Sequence, residues 1–332
     1  MQNKLLNRIA QLENRKIMVV GDMVADVYLE GKISRISREA PVLILEHTKE
    51  NVVPGGASNV VHNAATLSGI VYAVGIVGQD YAGQELVRIL KDKKTETAGL
   101  LVDYNRPTIT KTRIMAGGQA TVRQQIVRID KEKKEALDDN MKKALKDYIT
   151  THIVDMDGVV ISDYGSNTVA PHLIHHIIQT CRDKNIPCIV DSRYNVMEYN
   201  GVTVVKQNES EAAAAVGYEI VDQASLLSAG NTILERLNAK AVLITRGPDG
   251  MTLFEQSGKM THIPVINKSE VYDVTGAGDT VVATMILALA AGATYEEAAR
   301  LSNFAAGIVV KKPGTATTNL AELREAIGEH FE

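Results

Sequence analysis

The sequence predicts an α/β fold with a mainly parallel sheet and a small antiparallel β lid, and three patterns support this. Six short runs rich in β-branched residues are typical of strands covered on both faces; they lie at 16–22, 71–78, 158–164, 187–192, 201–208 and 241–247. Stretches with apolar residues at helical spacing separate them, at 57–68, 84–91, 140–150, 170–184 and 224–237. Two further segments alternate polar and apolar residues. Strand–helix alternation favours a parallel core sheet.

The two alternating segments, 27–53 and 104–129, predict exposed antiparallel strands inserted between core elements. Gly117 and Gly118 mark a turn in the second segment. We expect one half-buried sheet from both segments, which forms a lid over a cleft or a pairing surface. The chain is then a single unit, 1–332, with its core at about 1–26, 54–103 and 130–332.

Composition excludes several classes of function. The chain has 36 Lys and Arg against 40 Asp and Glu, and the formal net charge of −4 gives no overall basic field for nucleic acid or an anionic membrane. The most apolar stretch, 280–291, is too short for a bilayer core of about 30 Å. Cys181 and Cys188 do not make a disulfide framework and are expected to be buried. We therefore expect a cytoplasmic protein with neither nucleic acid nor membrane as a partner.

The sharpest motif is the eight-residue string from Asp273 to Thr280, which directly precedes an apolar helical run. Gly276 and Gly278 flank Ala277 and let the backbone turn tightly, so that successive amide N–H groups point to one place. The start of the following helix adds free N–H groups and the positive end of a dipole. The string therefore predicts an anion-binding turn.

Asp279, at this helix start, is predicted to be the base of a phosphoryl transfer. The positive surroundings are expected to lower its pKa and keep it ionised, ready to accept the proton of a hydroxyl group that attacks phosphorus. The alternative is structural, with 276–278 as a simple turn and Asp279 as a helix cap. The complete string before an apolar helix favours catalysis.

The string resembles the signature of the ribokinase-like (PfkB) carbohydrate kinases, and other motifs follow in that family's order over about 16–327. The resemblance implies a three-layer α/β/α core, ATP as phosphoryl donor, and Mg²⁺. It places Asp26 on sugar hydroxyls, Gly55 and Gly56 in a sugar-binding turn, and Asn59 on a further hydroxyl. Such acceptors and donors suit a polyol. Alone, the glycines would be a tight turn and Asp26 a cap.

The resemblance also implies a nucleotide side. Asn208 and Glu211 match an Asn-x-x-Glu element near the ATP phosphates, with Glu211 acting on Mg²⁺ through water; alone, they would be a solvated helix start. Further nucleotide contacts are implied for Thr245, Gly247, Gly250, Thr275, Asn303 and Ala306. The loop at 312–315 matches one that helps to bind a monovalent cation in some members, which adds K⁺ to the expected ligands.

Within the family, the likeness is greatest to the kinase domain of the bacterial heptose enzymes of lipopolysaccharide-core synthesis. The matching stretches lie at 34–42, 107–113, 124–130, 162–164 and 271–275. They imply phosphorylation of D-glycero-D-manno-heptose 7-phosphate at O1. A phosphorylated acceptor needs cations, and the expected acceptor contacts are Lys111, Arg113, Arg123, Arg128, Asp163 and Arg193. Alternatively, the lid cations keep an exposed strand edge soluble.

Three departures from the heptose pattern keep other acceptors open. Ser166 and Asn167 stand where Lys and Gly are usual, Arg193 ends a segment that is usually Asp-Pro-Lys, and the lid has an insertion at 117–121. The alternatives are an unphosphorylated sugar, a nucleoside or fructose 6-phosphate as acceptor, and a non-catalytic nucleotide- or sugar-binding protein on the same fold. The edges of the lid strands also favour a homodimer paired through the lid.

Overall fold

The computed structural model describes residues 1–117, 124–266 and 271–331. Its strands are β1 (Lys16–Gly21), β2 (Met23–Ile36), β3 (Leu43–Gly56), β4 (Ile70–Gly78), β5 (Leu100–Asp103), β6 (Ile109–Gly117), β7 (Gln124–Lys131), β8 (Gly158–Asp163), β9 (Cys188–Ser192), β10 (Val204–Asn208), β11 (Ala241–Thr245), β12 (Met251–Glu255) and β13 (Met260–Ile263). Its helices are α1 (Gln2–Ile9), α2 (Ala57–Thr66), α3 (Tyr81–Asp92), α4 (Asp139–His152), α5 (Pro171–Lys184), α6 (Glu209–Val216), α7 (Gln223–Arg236), α8 (Ala277–Ala290), α9 (Tyr295–Val309) and α10 (Leu320–Phe331).

The core sheet confirms the predicted α/β fold. Within the described ranges it has nine strands in the order β13-β12-β11-β10-β9-β8-β1-β4-β5. The pairs from β11 to β5 are parallel, and β12 and β13 are antiparallel. The strand order reverses between β1 and β8, which is where open α/β sheets bind ligands at the carboxyl ends of their strands.

Helices cover both faces of this sheet. Ile17 and Val19 of β1 belong to one apolar cluster, while Met18 and Val20 belong to a second cluster on the opposite face, as expected for side chains that alternate along a strand. Helices α1, α2, α3, α8, α9 and α10 supply the first cluster, and α4 to α7 supply the second. The core therefore has three layers, α/β/α.

In the residues that the structure describes, the lid is a separate four-stranded sheet ordered β3-β2-β6-β7. Its outer pairs are antiparallel, but the central pair, β2 and β6, is parallel. The expectation of an antiparallel lid was wrong at this pair, because each hairpin comes from its own insertion: β2 follows β1 and β6 follows β5, and the two first strands lie side by side. Residues 118–121 of the expected turn and insertion lie outside the described residues.

Two smaller expectations concern the cysteines and membrane spans. Cys181 and Cys188 are both buried, unbridged thiols, as predicted. No helix in the described ranges combines the length and apolar character that a membrane crossing requires.

Candidate active site

A cleft of about 180 Å³ opens at the carboxyl ends of β8, β9 and β10 and the start of α8. Seven residues expected from the sequence line it: Asp163, Arg193, Asn208, Glu211, Gly276, Gly278 and Asp279. Three residues without an assigned role line it as well: Tyr164, Asp191 and Lys206. The parallel strands therefore bring together side chains that are far apart in the chain.

Asp279 lies in the first turn of α8, with 7% of its surface exposed. Its Oδ2 accepts a hydrogen bond from Asn59 Nδ2 at 2.7 Å, and its Oδ1 accepts one from the Tyr164 hydroxyl at 3.0 Å. Burial raises the pKa of Asp279 to about 6, although the Asn59 hydrogen bond opposes this rise. The expectation of a lowered pKa was therefore wrong, because removal from water outweighs the favourable contacts of the carboxylate.

The glycine turn before Asp279 has the conformation that its sequence predicts. Gly276 precedes α8 with a φ of +79°, which glycine adopts readily, and a Cβ there would lie 2.6 Å from Asn59 Nδ2. No side chain in the described part of the chain caps α8. The Ala277 N–H donates to Val274 O at 3.2 Å, so one amide of the turn is used internally. The first-turn N–H groups that lack a cap are suited to an anion.

A chain of side-chain hydrogen bonds fixes Asn59. Asn63 Nδ2 donates to Asn59 Oδ1 at 3.1 Å, and Thr280 Oγ1 donates to Asn63 Oδ1 at 2.8 Å. The amide of Asn59 is thus bonded within the protein at both its nitrogen and its oxygen, which lets it orient the Asp279 carboxylate. Its contact with a sugar hydroxyl stays a prediction.

Lys206 and Asp191 form a buried ion pair beneath the cleft. Lys206 is 5% exposed, and its Nζ lies 2.8 Å from Asp191 Oδ2. A Cβ on Gly278 would lie 2.9 Å from the same Nζ, so the ammonium group adjoins the glycine turn. Burial lowers the pKa of Lys206, but the Asp191, Glu211 and Asp279 carboxylates together raise it above its usual value. Sequence reasoning missed this cation, although it is the one charged residue in the strand-like run 201–208.

Asn208 and Glu211 combine a structural role with a place in the cleft. Asn208 Oδ1 accepts from the Glu211 N–H, and Glu211 Oε2 accepts from the Asn208 N–H, each at 2.8 Å, which makes a capping box for α6. Among the residues described, no three His, Cys, Asp or Glu side chains are grouped to hold a metal. Mg²⁺ commonly takes one or two carboxylates with water and substrate phosphates, and Glu211 fits that pattern.

Asp26 and the di-glycine turn meet on the lid side. Arg113 Nη1 donates to Asp26 Oδ1 at 2.7 Å, and its guanidinium lies 5.4 Å from the centre of the Tyr28 ring. A Cβ on Gly55 would lie 2.6 Å from Asp26 Oδ2. Gly56, with a φ of +52°, precedes α2. The glycines therefore allow close approach to a carboxylate that already has one cationic partner.

The cationic side chains expected to bind the acceptor differ in whether they form an ion pair with a carboxylate. Arg128 donates to both oxygens of Asp130, at 2.8 and 2.9 Å. Lys111 Nζ lies 5.0 Å from the centre of the Tyr164 ring, and the Arg193 guanidinium lies 5.7 Å from that of Tyr194. Within the described part of the chain, the Lys111 and Arg193 side chains have no ion pair. Arg123 lies outside the described residues.

Asp163 is held in place by its own neighbours. Its Oδ2 accepts from Ser192 Oγ at 2.7 Å and the Tyr199 hydroxyl at 2.9 Å, while its Oδ1 accepts from the Gly165 N–H at 2.9 Å. These bonds shape the end of β8. A substrate contact for Asp163 stays a prediction.

The residues that depart from the heptose pattern after Tyr164 connect the core to the lid. Ser166 Oγ donates to Glu132 Oε2 at 3.2 Å, and Asn167 Nδ2 donates to Lys134 O at 2.6 Å. Glu132 directly follows β7. These two positions therefore attach the base of the lid to the core, which gives the departures a structural reason.

The expected nucleotide residues lie on several elements: Thr245, Gly247 and Gly250 are at or after the end of β11, Thr275 precedes α8, and Asn303 and Ala306 are on α9. Asn208 is opposite Thr245 in the register of β10 and β11, and Gly247 and Gly250 have φ of +53° and +79° in the following turn. Asn303 Nδ2 donates to Pro264 O at 2.8 Å, and Pro264 lines a second cavity of about 330 Å³. The described residues that line the Asp279 cleft include none of these expected nucleotide contacts, which are Thr245, Gly247, Gly250, Thr275, Asn303 and Ala306.

Comparison with known proteins places the chain among sugar kinases. Residues 14–322 match the family described as pfkB family carbohydrate kinase. The bifunctional protein HldE of Geobacter sulfurreducens is 39% identical over 317 residues, which are 95% of this chain and 64% of the relative. The bifunctional protein HldE of Desulfatibacillum aliphaticivorans is 41% identical over 310 residues, which are 93% of this chain and 62% of that relative. This chain therefore spans less than two thirds of the length of these relatives.

Solved structures share the fold. Ribokinase from Arabidopsis thaliana, complexed with ribose and ATP, has a TM-score of 0.71 at 19% identity and covers 96% of this chain and 99% of its own. Phosphofructokinase-2 from Escherichia coli, in complex with substrates and products, has a TM-score of 0.76 at 21% identity. The match covers 96% of this chain and 100% of the phosphofructokinase chain. At these identities the likeness concerns the fold, which is ribokinase-like as expected.

Proposed function

The chain belongs to the pfkB family of carbohydrate kinases, and on that premise we propose that it transfers the γ-phosphoryl group of ATP to O1 of D-glycero-D-manno-heptose 7-phosphate. Sugar kinase activity follows from the family. The choice of acceptor is supported by the stretches that resemble the heptose enzymes. One observation carries the mechanism: the Asp279 carboxylate lines a cleft at the uncapped start of α8, beside the Lys206 ammonium group.

In the proposed reaction, Asp279 accepts the proton of the acceptor hydroxyl as the hydroxyl oxygen attacks the γ-phosphorus. The bond between that phosphorus and the bridging oxygen breaks, and ADP leaves with the electron pair. The first-turn N–H groups of α8 and the Lys206 ammonium lie where they can neutralise the charge of the transferring group. Bound Mg²⁺ would neutralise further phosphate charge, with Glu211 as its expected holder through water.

The phosphate already present on the acceptor is assigned to Lys111 and Arg193. Both side chains lack an ion pair within the described residues, whereas Arg113 and Arg128 are bonded to Asp26 and Asp130. Burial lowers the pKa of Lys111; Asp26 and, more weakly, Asp130 oppose this, while the cationic Arg193 and Arg128 lower it further. A bound phosphate would relieve that repulsion and accept charge-assisted hydrogen bonds.

The nucleotide is proposed to extend from the cleft along β10 and β11 towards Thr245, Gly247 and Gly250, with Thr275, Asn303 and Ala306 on its outer side. The register of Asn208 with Thr245 supports this direction. K⁺ is proposed at the 312–315 loop, since Asp273 Oδ2 accepts from the Gly314 N–H at 3.0 Å and so ties that loop to the segment before the glycine turn.

Pairing of two chains through the lid is also proposed. Apolar side chains on the lid strands are strongly exposed, among them Ile36 at 65% and Ile129 at 53%. Exposed strand edges with apolar side chains favour association. A second copy of the lid would cover them.

The decisive experiment measures ADP formation from ATP with a panel of acceptors. Heptose 7-phosphate should give the highest kcat/KM, and phosphorus NMR should place the new phosphate on O1. A higher kcat/KM with ribose, a nucleoside or fructose 6-phosphate would overturn the choice of acceptor. Absence of ADP formation with every acceptor, in a protein that binds ATP, would favour the non-catalytic alternative.

A further inference from the structure

Tyr164 is the point at which the lid and Asp279 meet. It follows β8, at the strand end nearest the order reversal of the core sheet. Its hydroxyl donates to Asp279 Oδ1 at 3.0 Å, and its own N–H donates to Asp22 Oδ2 at 2.8 Å. The backbone of Tyr164 is thus fixed to the core while its side chain reaches the carboxylate.

The lid contacts the ring of the same tyrosine. Lys111, on β6, has its Nζ 5.0 Å from the centre of the Tyr164 ring. A cation within about 6 Å of a ring centre is attracted by the π electrons. The same side chain therefore contacts both a residue of the lid and the carboxylate assigned as base.

Asp279 has a donor on each oxygen, and the two donors come from different parts of the fold. Asn59 belongs to α2, whose Asn63 is bonded in turn to Thr280 of α8, so this donor is anchored within the core. Tyr164 also contacts a lid residue, Lys111, through its ring. Any movement of the lid that displaces Lys111 would therefore reach the base through Tyr164.

We propose that Tyr164 is a positioning residue that orients the Asp279 carboxylate for proton acceptance and couples this orientation to the placement of Lys111 by the lid. The proposal rests on the proposed function of Asp279. In it, the tyrosine stays protonated and transfers no proton. When the lid closes over an acceptor, Lys111 fixes the ring, and the hydroxyl holds Oδ1 so that the acceptor hydroxyl meets an oriented lone pair.

Loss of the Tyr164 hydroxyl should change how Asp279 titrates. The groups that face Asp279 are Asn59 and Tyr164 as donors, Asp191 as an anion and Lys206 as a cation. The Tyr164 hydrogen bond stabilises the charged form, so its removal should raise the pKa of Asp279. Burial and the Asp279 carboxylate hold the pKa of Tyr164 itself well above its usual value, which keeps it a donor.

Tyr199 provides a matched control. Its hydroxyl donates to a different buried carboxylate, Asp163 Oδ2, at 2.9 Å. Tyr199→Phe therefore removes the same group from a comparable bond without touching Asp279. A general loss of packing or stability should affect both variants, whereas a change in the titration of Asp279 should appear only in Tyr164→Phe.

The test compares Tyr164→Phe, Tyr199→Phe, Lys111→Met and Asp279→Asn by the pH dependence of kcat/KM for the acceptor at saturating ATP. For Tyr164→Phe we expect kcat to fall roughly tenfold and the acidic limb to move upward by about half a pH unit or more. Tyr199→Phe should leave the limb in place. Lys111→Met should move the acidic limb of the pH profile when Tyr164 is present. In a Tyr164→Phe background it should cause no further movement, because the ring then has no hydroxyl through which to act on Asp279.

The outcomes separate this proposal from the one on which it depends. If Asp279→Asn is inactive while Tyr164→Phe keeps the wild-type limb and kcat, the base stands and the role of Tyr164 is overturned. If Asp279→Asn keeps its turnover, the base itself is wrong and the positioning role falls with it. An equal shift in Tyr199→Phe would mean a general structural effect and would also overturn the proposal. Lys111→Met approaches the ring from the lid and remains informative if Tyr164→Phe folds poorly.

Discussion

The residues proposed to act on the base side and those proposed to bind the acceptor phosphate differ in how completely their charged groups are paired. On the base side, Asp279 has a hydrogen-bond donor on each oxygen, and Lys206 is bonded to Asp191. On the proposed acceptor side, Lys111 and Arg193 have no ion pair within the described residues. The base side is thus organised by the protein alone. The proposed acceptor side has, among the residues described, two cations without an ion pair, Lys111 and Arg193, which is the arrangement expected of a site for an anionic substrate.

Asp279→Asn should produce the largest effect. We expect kcat to fall by about 10²- to 10⁴-fold, because a positioned general base contributes on that order. The pKa of Asp279 is raised on folding, so its ionised form opposes folding, and this cost is present above pH 6 and disappears as the pH falls towards 4. At pH 8 the variant should therefore unfold in urea at the same or a higher concentration than the wild type. Asp155→Asn, at an exposed position, is the control; near-normal kcat in Asp279→Asn would exclude this base.

Lys206→Met tests whether the base side depends on its buried ion pair. The change leaves Asp191 buried without its cation, and breaking such a pair costs about 3–5 kcal/mol of stability. We also expect kcat to fall by roughly 100-fold, since removal of one charge-stabilising donor commonly has that effect. Urea unfolding and steady-state kinetics measure the two losses. If Lys206→Met keeps full kcat, Lys206 does not act on the transferring phosphoryl group. Lys240→Met, which changes an exposed lysine, is the control.

Arg193→Gln tests the acceptor side. A charge-assisted hydrogen bond is worth about 1.5–3 kcal/mol, so KM for heptose 7-phosphate should rise roughly 10- to 100-fold with little change in kcat. KM for the free heptose, which lacks the phosphate, should not change. Arg88→Gln is the matched control, because Arg88 is exposed and bonded only to Glu85 and Asp92 among the described residues. An equal rise for both acceptors would contradict a phosphate contact.

The pH profile of the wild-type enzyme sharpens the comparison. Because burial raises the pKa of Asp279 to about 6, kcat/KM should be level above pH 7 and fall about tenfold per pH unit below 6 as the carboxylate takes up its proton. Measurements of the initial rate from pH 5 to 8 check this. A profile that stays level down to pH 5 would show that the carboxylate is ionised more readily than its burial implies.

The smallest effect on turnover is expected from the outer face of the lid. Ile129→Asp places a charge on an exposed apolar position and should convert a dimer into a monomer with kcat changed by less than about threefold, since surface positions away from the cleft contribute little. Sedimentation velocity and activity at matched concentrations measure this. Val221→Asp, on an exposed core loop, is the control. A dimer that persists in Ile129→Asp would contradict pairing through this face.

The core of the fold could be predicted because its strands are buried on both faces. The runs at 158–164 and 241–247 correspond to β8 and β11, and the helical stretch at 170–184 corresponds to α5. The two strands were recognisable from their continuous apolar runs, and the helix from apolar residues at helical spacing. Strands β5, β12 and β13, which lie at or next to the two edges of the sheet, were not predicted, since each is short and is only partly buried along its length. The parallel pairing of β2 with β6 depends on how two distant insertions leave the core, which local sequence does not record.

The site was predictable where a motif fixes the backbone and less so where burial sets the chemistry. Gly276 and Asp279 could be placed because glycines before an apolar helix predict a turn and a helix start. The direction in which the pKa of Asp279 shifts could not be predicted, because it depends on how much water the surrounding elements exclude. Lys206 carried a usable signal, a lone charge in an apolar strand, which predicts a buried partner. Its partner, Asp191, could be identified only from the register of β9 and β10.

The pairing of β2 with β6 has a consequence for the order in which the chain acquires its structure. Val24 pairs with Ile109, so this contact joins residues far apart in sequence, and the loss of chain entropy on closing so long a loop slows its formation. The parallel core strands between them must assemble first and bring the two hairpins together. The lid should therefore be the last part to fold and the first to open, and its amides should exchange with deuterium before those of β1 and β8.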